Sequence, residues 1–585
     1  MRASVCRMLC VAGAMLVASR ASAGGIEYTG AGAQALGRGG AVTAKANDPM
    51  VLLYNPAGLA ELRGSQLAIN ANLALMDACM EPIGYYGWGA YGGGKPAKLV
   101  DPNTGEALTL NLGNPSMIGP AEQSYYNSKL DTVCLDQDWT PIPQVGFSAR
   151  LSEAIGIGFG LLFPNAPPQG RWGGEDGTIS TPNGPRPAPT RYLTMRSGTL
   201  ALYPTFGIGV RLTDWLRIGA SFQWGIFNVD QTNMAVVSAG TTPSGDIITR
   251  VRVTDWFVPA IAASLHIVPF DAVDIVGAFR YHGDLNAPGT IDMTTGFADP
   301  NAQAYTTINQ ITGVKQRFPW QLRAGIRYAS RLAPRPSGTG NKEPEGFNGD
   351  RIHDALEDER WDIEFDIEYQ MNSRMSEQRV EYQPNQSVQS QGLDGTVRAA
   401  MFPDASQPYT VIPKGFKDQI SARVGGTYNL FPGLFAISIG GHYETRGVDP
   451  AYMQLDYWPV SRIGLHAGVM LRVSRTIDLI ASFSHIFQET LVVAAPMHKT
   501  GEAIYEEEYR VTGKVSNIDQ RSGTAASRGM QAPVLAAENP AGAHGEARLT
   551  QNLTKTSAGE PPVIINSGTY RSGMNVLAVG MNVHF

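Results

Sequence analysis

No stretch of this chain is both apolar and long enough to cross a membrane as a helix. Residues 256–270 are among the least polar, yet Pro259 and Pro269 interrupt them, and they fall short of the ~20 residues that a spanning helix requires. A helical transporter is thereby excluded. Basic charge is not in excess either: 46 lysines and arginines face 52 aspartates and glutamates, a formal net charge of -6, which argues against a nucleic-acid partner. Cysteine is scarce, four in 585 residues, and none has metal-ligand spacing. His-Glu-x-x-His and Gly-x-Ser-x-Gly are both missing. Gly30-Ala-Gly-Ala-Gln-Ala has no strand before it and no repeating strand-helix unit after it, so it fails as a dinucleotide loop. The glycine-rich run at 89–94 precedes Lys95, but Pro96 stands where a Ser or Thr must hold magnesium. These absences predict a protein that is not an enzyme and holds no metal and no cofactor.

What the chain does have is alternation. Across residues 361–369, Trp361, Ile363, Phe365, Ile367 and Tyr369 point one way and Asp362, Glu364, Asp366 and Glu368 the other, without an error. This is the period of a strand with two unlike faces. Stacked carboxylates repel, so neighbouring strands are expected to bring cations to the same side. Upstream, Gln321, Arg323, Gly325 and Arg327 alternate with Leu322, Ala324, Ile326 and Tyr328. Downstream, Lys417, Gln419, Ser421 and Arg423 alternate with Phe416, Ile420, Ala422 and Val424, Asp418 being the one error. The pattern predicts a lumen charge ladder in which the four acids stand between columns containing Arg323, Arg327 and Arg423. Structural pairing is expected there, not a calcium site or a hydrolytic carboxylate pair. One such strand would also suit a soluble sandwich. Its recurrence, with an apolar girdle and interfacial aromatics, suits the wall of an outer-membrane barrel.

The predicted fold class is therefore all-β, a transmembrane antiparallel β-barrel of about fourteen strands, with wall segments near residues 65, 143, 155, 196, 215, 248, 273, 314, 361, 416, 434, 461, 477 and 573. Tight turns at 152–154, 213–215, 431–433 and 474–476 alternate with long connections, chiefly 77–142 and 489–571, as periplasmic turns alternate with extracellular loops. One periplasmic connection, 331–360, is long and charged and reads as a mobile turn or a docking element. In the last strand Leu577, Val579, Met581, Val583 and the terminal Phe585 alternate with smaller or polar residues. Six histidines, His266, His282, His442, His466, His485 and His584, are scattered through strands and read as lumen or interface residues.

Arg2 and Arg7, an apolar stretch over 8–17 and Ala21-Ser22-Ala23 read as a secretory signal spanning residues 1–23. It would carry Cys6 and Cys10 away. Cys79 and Cys134 would remain in an oxidising compartment, where a disulfide between them is expected to contribute roughly 4 kcal/mol in the chain-entropy account.

About forty residues, 24–63, then precede the first strand, and they are rich in Gly and Ala. They contain Gly30-Ala-Gly-Ala-Gln-Ala-Leu-Gly37-Arg-Gly-Gly40, then Asn47-Asp48-Pro49, then Tyr54-Asn55-Pro56-Ala57-Gly58. This layout resembles the amino-terminal hatch of the FadL/TodX family of outer-membrane hydrophobic-compound transporters, which carries an Asn-Pro-Ala motif before the first strand. The resemblance implies a hatch at 24–63 inside a barrel at 64–585, with Asn55, Pro56, Ala57 and Gly58 forming its rigid corner. It further implies a monomer in the Gram-negative outer membrane, among lipid and lipopolysaccharide. Its cargo would be a hydrophobic small molecule such as a long-chain fatty acid or an aromatic hydrocarbon. Capture would fall to loop aromatics such as Tyr85, Tyr86, Trp88, Tyr91, Tyr452, Tyr457 and Trp458, which read equally as interfacial anchors. Lateral exit would use the third strand, where Gly156, Gly158 and Gly160 face inward and Pro164 cannot donate to a ladder; the same glycines would also suit curvature or plug packing. The alternative is a general diffusion porin or, further from the pattern, an outer-membrane lipid hydrolase.

Overall fold

The computed structural model describes residues 30–62, 64–82, 130–163, 170–175, 177–181, 184–236, 246–295, 304–305, 307–332, 354–382, 387–391, 397–401, 409–493 and 568–585. The predicted leader, Pro164, Tyr85, Tyr86, Trp88, Tyr91, most of the connections at 77–142 and 489–571 and the middle of 331–360 lie outside the described residues.

Fourteen strands make the wall: β1 (Ser65–Pro82), β2 (Thr140–Arg150), β3 (Ile155–Leu162), β4 (Arg196–Thr213), β5 (Leu216–Val236), β6 (Asp246–Phe270), β7 (Val273–His282), β8 (Gln321–Arg331), β9 (Glu359–Gln370), β10 (Gln419–Phe431), β11 (Phe435–Glu444), β12 (Arg462–Ser474), β13 (Ile477–Gln488) and β14 (Gly568–His584). Each pairs antiparallel with the next. The ring closes where β14 meets β1, from Gln66 opposite His584 to Pro82 opposite Gly568. Closure pairs the wall strands on both sides over most of their described length, as lipid requires.

Alternation sorts the two faces. On β9 the acids Asp362, Glu364, Asp366 and Glu368 are at most 4% exposed, while Trp361, Ile363, Phe365 and Ile367 are 39–50% exposed. The acids point into the lumen and the large apolar residues into the membrane. Asp418, the one break in the downstream pattern, lies just before β10 and accepts a hydrogen bond from the Tyr369 hydroxyl at 2.6 Å.

Short turns join β2–β3, β4–β5, β6–β7, β10–β11 and β12–β13 at the end where β1 starts and β14 finishes. This is called the turn end here, and the opposite rim the loop end. One expected boundary is displaced: the wall strand expected from near 314 enters the wall at Gln321, as β8. Thr307–Gln316 instead joins Leu285–Thr295, Glu377–Tyr382 and Tyr409–Pro413 in a sheet that continues the wall beyond β5 and β6 at the loop end. β5 and β6 have 21 and 25 residues, about twice what a bilayer requires of a tilted strand, so their outer halves stand clear of it. Cys79 and Cys134 are Cα partners at the loop end and form a disulfide.

Candidate functional site

Residues 30–62 lie inside this barrel. They form a short helix α1 (Ala33–Gly37), a second, α2 (Val51–Tyr54), and a 3-10 turn at Pro56–Ala60. These touch the inward faces of strands on opposite sides of the ring: α1 against β12, β13 and β14, the 3-10 turn against β4, β5 and β6. Backbone meets backbone because the wall is glycine where the segment passes. A Cβ on Gly219 would sit 2.2 Å from the Ala57 nitrogen, and one on Gly440 would sit 2.1 Å from the Arg38 carbonyl carbon.

The corner at Asn55 is one grip. Pro56 restricts the preceding residue to extended backbone, and Asn55 has φ -155. Its amide group, fully buried, meets β6: Ser264 Oγ donates to Asn55 Oδ1 at 2.9 Å, Ala57 N–H donates to Ser264 Oγ at 2.8 Å, and Asn55 Nδ2 lies 3.4 Å from His266 Nδ1. His266 Nε2 in turn is 2.9 Å from Asp274 on β7.

A second grip holds residues 38–45 on β9. Arg38 donates to Asp362, Glu364 and Thr427, and the Lys45 ammonium pairs with Asp362. The backbone N–H groups of Val42 and Thr43 both donate to Asp366 Oδ2 at 3.1 Å, with the Thr43 hydroxyl at 2.6 Å, and Ala44 N–H donates to Glu364 at 2.6 Å. The ladder expected from sequence is thus present in part. Glu368 stands between Arg323 and Arg423, and Arg327 reaches Asp274, Glu359 and Asp362. Asp362, Glu364 and Asp366, however, turn most of their bonding capacity toward the segment, because a chain threading the lumen brings N–H donors and two cations closer than the flanking strands can. Arg323 also lies over the Tyr54 ring, 4.8 Å from its centre. Between the grips, burial lifts the Asp48 carboxyl to about 6, against the lowering effect of the Met50 N–H that it accepts at 2.8 Å.

Above the segment the lumen changes character. On β1 the inward residues run Gln66, Asn70 and Asn72, then Met76, Ala78 and Met80 toward the loop end; on β5 they run Arg217, Ser221 and Gln223, then Phe227. Phe227 stacks with Phe318 at 4.8 Å and meets Tyr203 edge-on at 5.6 Å. Trp172 and Trp458, arriving from two different loops, stack at 5.2 Å, and Trp458 meets Tyr570 edge-on. Of the loop aromatics singled out in the sequence, Trp458 and its neighbour Tyr457 belong to this interior and not to the membrane interface.

Gly156, Gly158 and Gly160 on β3 face inward against the segment: a Cβ on Gly156 would sit 2.0 Å from the Leu59 oxygen, and those on Gly158 and Gly160 would crowd Leu59 and Leu52. β3 pairs with both neighbours over its described length but stops at Leu162. Beyond it, residues 140–144 of β2 and 198–202 of β4 have a ladder partner on one side alone among the described residues. Pro141 and Pro143 lie in that part of β2, where a missing N–H is tolerated.

Arg38, Lys45, Ser264 and Asp274 were not singled out from sequence, and His266 reads there only as one of six lumen or interface histidines. The available signal was that Arg38 and Lys45 are the only Lys or Arg residues between positions 24 and 62, set against a wall strand rich in acids.

No protein-family profile and no curated protein sequence matches the chain. Among solved structures it is similar to a Pseudomonas aeruginosa FadL homologue, with 12% identity, a TM-score of 0.59 and coverage of 96% of this chain and 100% of that one. It is also similar to the P. putida toluene transporter TodX, with 12% identity, a TM-score of 0.51 and coverage of 96% and 99%. The barrel has the FadL fold. At such identity the likeness speaks for architecture alone.

Proposed function

We propose that this chain belongs to the FadL/TodX family and carries hydrophobic compounds, such as long-chain fatty acids or aromatic hydrocarbons, passively across the outer membrane. The observation that carries the reading is the division of the lumen. An apolar half rich in aromatic rings lies toward the loop end, and the turn-end half is filled by a segment held with hydrogen bonds and ion pairs. Such a vessel suits an apolar cargo, whose transfer from water is driven by burial of its surface. A water-filled pore would need a continuous polar lumen. Residues 24–63 act as the hatch, with Asn55, Pro56, Ala57 and Gly58 as its corner.

Cargo leaves sideways where β3 stops, since that is where its neighbours' edges go unpaired among the described residues. Gly156, Gly158 and Gly160 support this exit by leaving room beside the wall that Leu52 and Leu59 occupy while the hatch is seated. The lumen arginines Arg323, Arg327 and Arg423 are already engaged by carboxylates and serve the wall and not a cargo head group.

The test is extraction and mass spectrometry of lipophiles that co-purify with the protein, alongside its conductance in planar bilayers. Bound hydrophobic molecules with small conductance are expected. Large, steady conductance without bound lipophile would favour a diffusion porin instead, and release of product from lipid esters would favour a hydrolase.

A further inference from the structure

Both grips on residues 30–62 end on the same patch of wall. The first has only one consistent direction of donation. Ala57 N–H can only donate, so Ser264 Oγ accepts from it and must send its own proton to Asn55 Oδ1. Asn55 Nδ2–H therefore faces His266 Nδ1, which must be the bare nitrogen, and the His266 proton lies on Nε2, directed at Asp274. Asp274 then accepts from Arg327 Nη1 at 3.3 Å, and Arg327 Nη2 lies 3.0 Å from Asp362 Oδ2. Asp362 is the carboxylate that holds Arg38 and Lys45. An unbroken path thus runs from the Asn-Pro-Ala corner, through β6, β7, β8 and β9, to the cations of the second grip.

We infer that the two grips form one latch, wired through the wall by His266, Asp274 and Arg327, with Arg327 as the positioning residue that makes them loosen together. Among the described residues Asp362 has three cationic partners: Arg38, Lys45 and Arg327. When Arg38 and Lys45 leave, Arg327 alone remains to balance that buried charge and is drawn toward it. Its hold on Asp274 weakens, leaving that carboxylate to Arg331, whose Nη2 is 3.7 Å away; the acceptor that orients His266 shifts with it, and the Asn55 corner loses its fixed partner. The planar guanidinium matters because one fork serves three carboxylates on two strands, Asp274 on β7 and Glu359 and Asp362 on β9, which a lysine cannot do. The inference bears on transport only if residues 30–62 are the hatch, but the wire is testable without cargo.

Single cysteines at Ala41, beside the second grip, and at Ala60, beside the first, are to be labelled with a maleimide in the purified full-length protein in bilayers, each site being followed by peptide mass spectrometry. Asn55→Ala breaks the first grip and Lys45→Met the second. Each is expected to speed labelling at its near site and, by roughly threefold or more, at the far one, as for residues in one network. In an Arg327→Lys background, which keeps the charge, or an Asp274→Asn background, which keeps the shape, the far effect should vanish while the near effect persists. No far effect in the native background, or a far effect undiminished in both altered backgrounds, overturns the wire. If the wire holds while uptake of hydrophobic compounds is indifferent to every variant, the hatch reading fails and the wire stands.

Discussion

The two halves of the lumen are built on the same strands and differ in nearly everything else. Toward the turn end, buried carboxylates on β9 meet Arg38, Lys45 and a row of backbone N–H groups. Toward the loop end, Phe227, Phe318, Tyr203, Trp172 and Trp458 meet each other. The contrast shows that facing inward does not define a chemical environment in a barrel. What an inward position needs depends on what stands opposite it: a chain with unsatisfied donors calls for carboxylates, and an apolar occupant calls for rings.

The strongest way to break this contrast is to remove the polar half's occupant. A protein lacking residues 30–62 should change from small to large, steady conductance in planar bilayers; unchanged conductance would mean that this segment does not close the lumen. Next in size, Asp362→Ala leaves Arg38 and Lys45 buried beside a lost partner, a change worth about 3–5 kcal/mol for a broken buried pair. It should free residues 38–45 to proteases added from the turn end. Glu368→Gln is its control. Glu368 pairs with Arg323 and Arg423 and bonds Gln370, so the variant should lower the denaturation midpoint of the barrel while residues 38–45 stay protected.

At the other end, Phe318→Ala should weaken binding of a hydrophobic probe about tenfold, the equivalent of 1.4 kcal/mol, measured by equilibrium dialysis, with conductance unaltered. Should conductance rise as well, the two halves are not separable. The smallest effect concerns Asp48, whose carboxyl is pushed up to about 6. The seated segment holds a proton there that a released one has lost, so seating should weaken as pH rises from about 4 to about 6 and level off above. Asp48 is half-buried, so the change should be about 1 kcal/mol or less. Asp48→Asn should flatten that pH dependence of protease protection; a slope that survives belongs to another group.

Much of the container was legible because alternation is a local property. Each residue of 361–369 declares its face by whether its neighbour is apolar, and the same holds for Leu577 through Phe585. The start of β8, expected near 314 and found at Gln321, is a boundary that alternation does not place. Thr307–Gln316, just ahead of it, is also extended but pairs beyond the wall at the loop end, and its apolar residues, Ile308, Ile311 and Val314, recur three apart, not two. The acid row shows a different limit. Its cationic neighbours on β8 and β10 could be found by counting strands, so the Arg323–Glu368–Arg423 column was within reach. The partners that Asp362, Glu364 and Asp366 find on the threading segment lie more than three hundred residues upstream, and no periodicity links such positions.

Ser264 and Asp274 stayed hidden for a similar reason, as did the partner of His266. A serine and a histidine two apart on a strand share a face, but only the seated Asn55-Pro56-Ala57 corner makes that face a receptor for a backbone N–H and a side-chain amide. Strand period, turn chemistry and charge balance, all settled within a few residues, were enough for the sequence to determine an antiparallel barrel with an acid-lined stripe and a compact glycine-rich segment before it. The tertiary structure decided which carboxylates serve the wall and which hold the segment. That choice depends on the barrel closing around the chain, which brings donors and acceptors together across the lumen at hydrogen-bond distance, where burial makes an unmade bond costly.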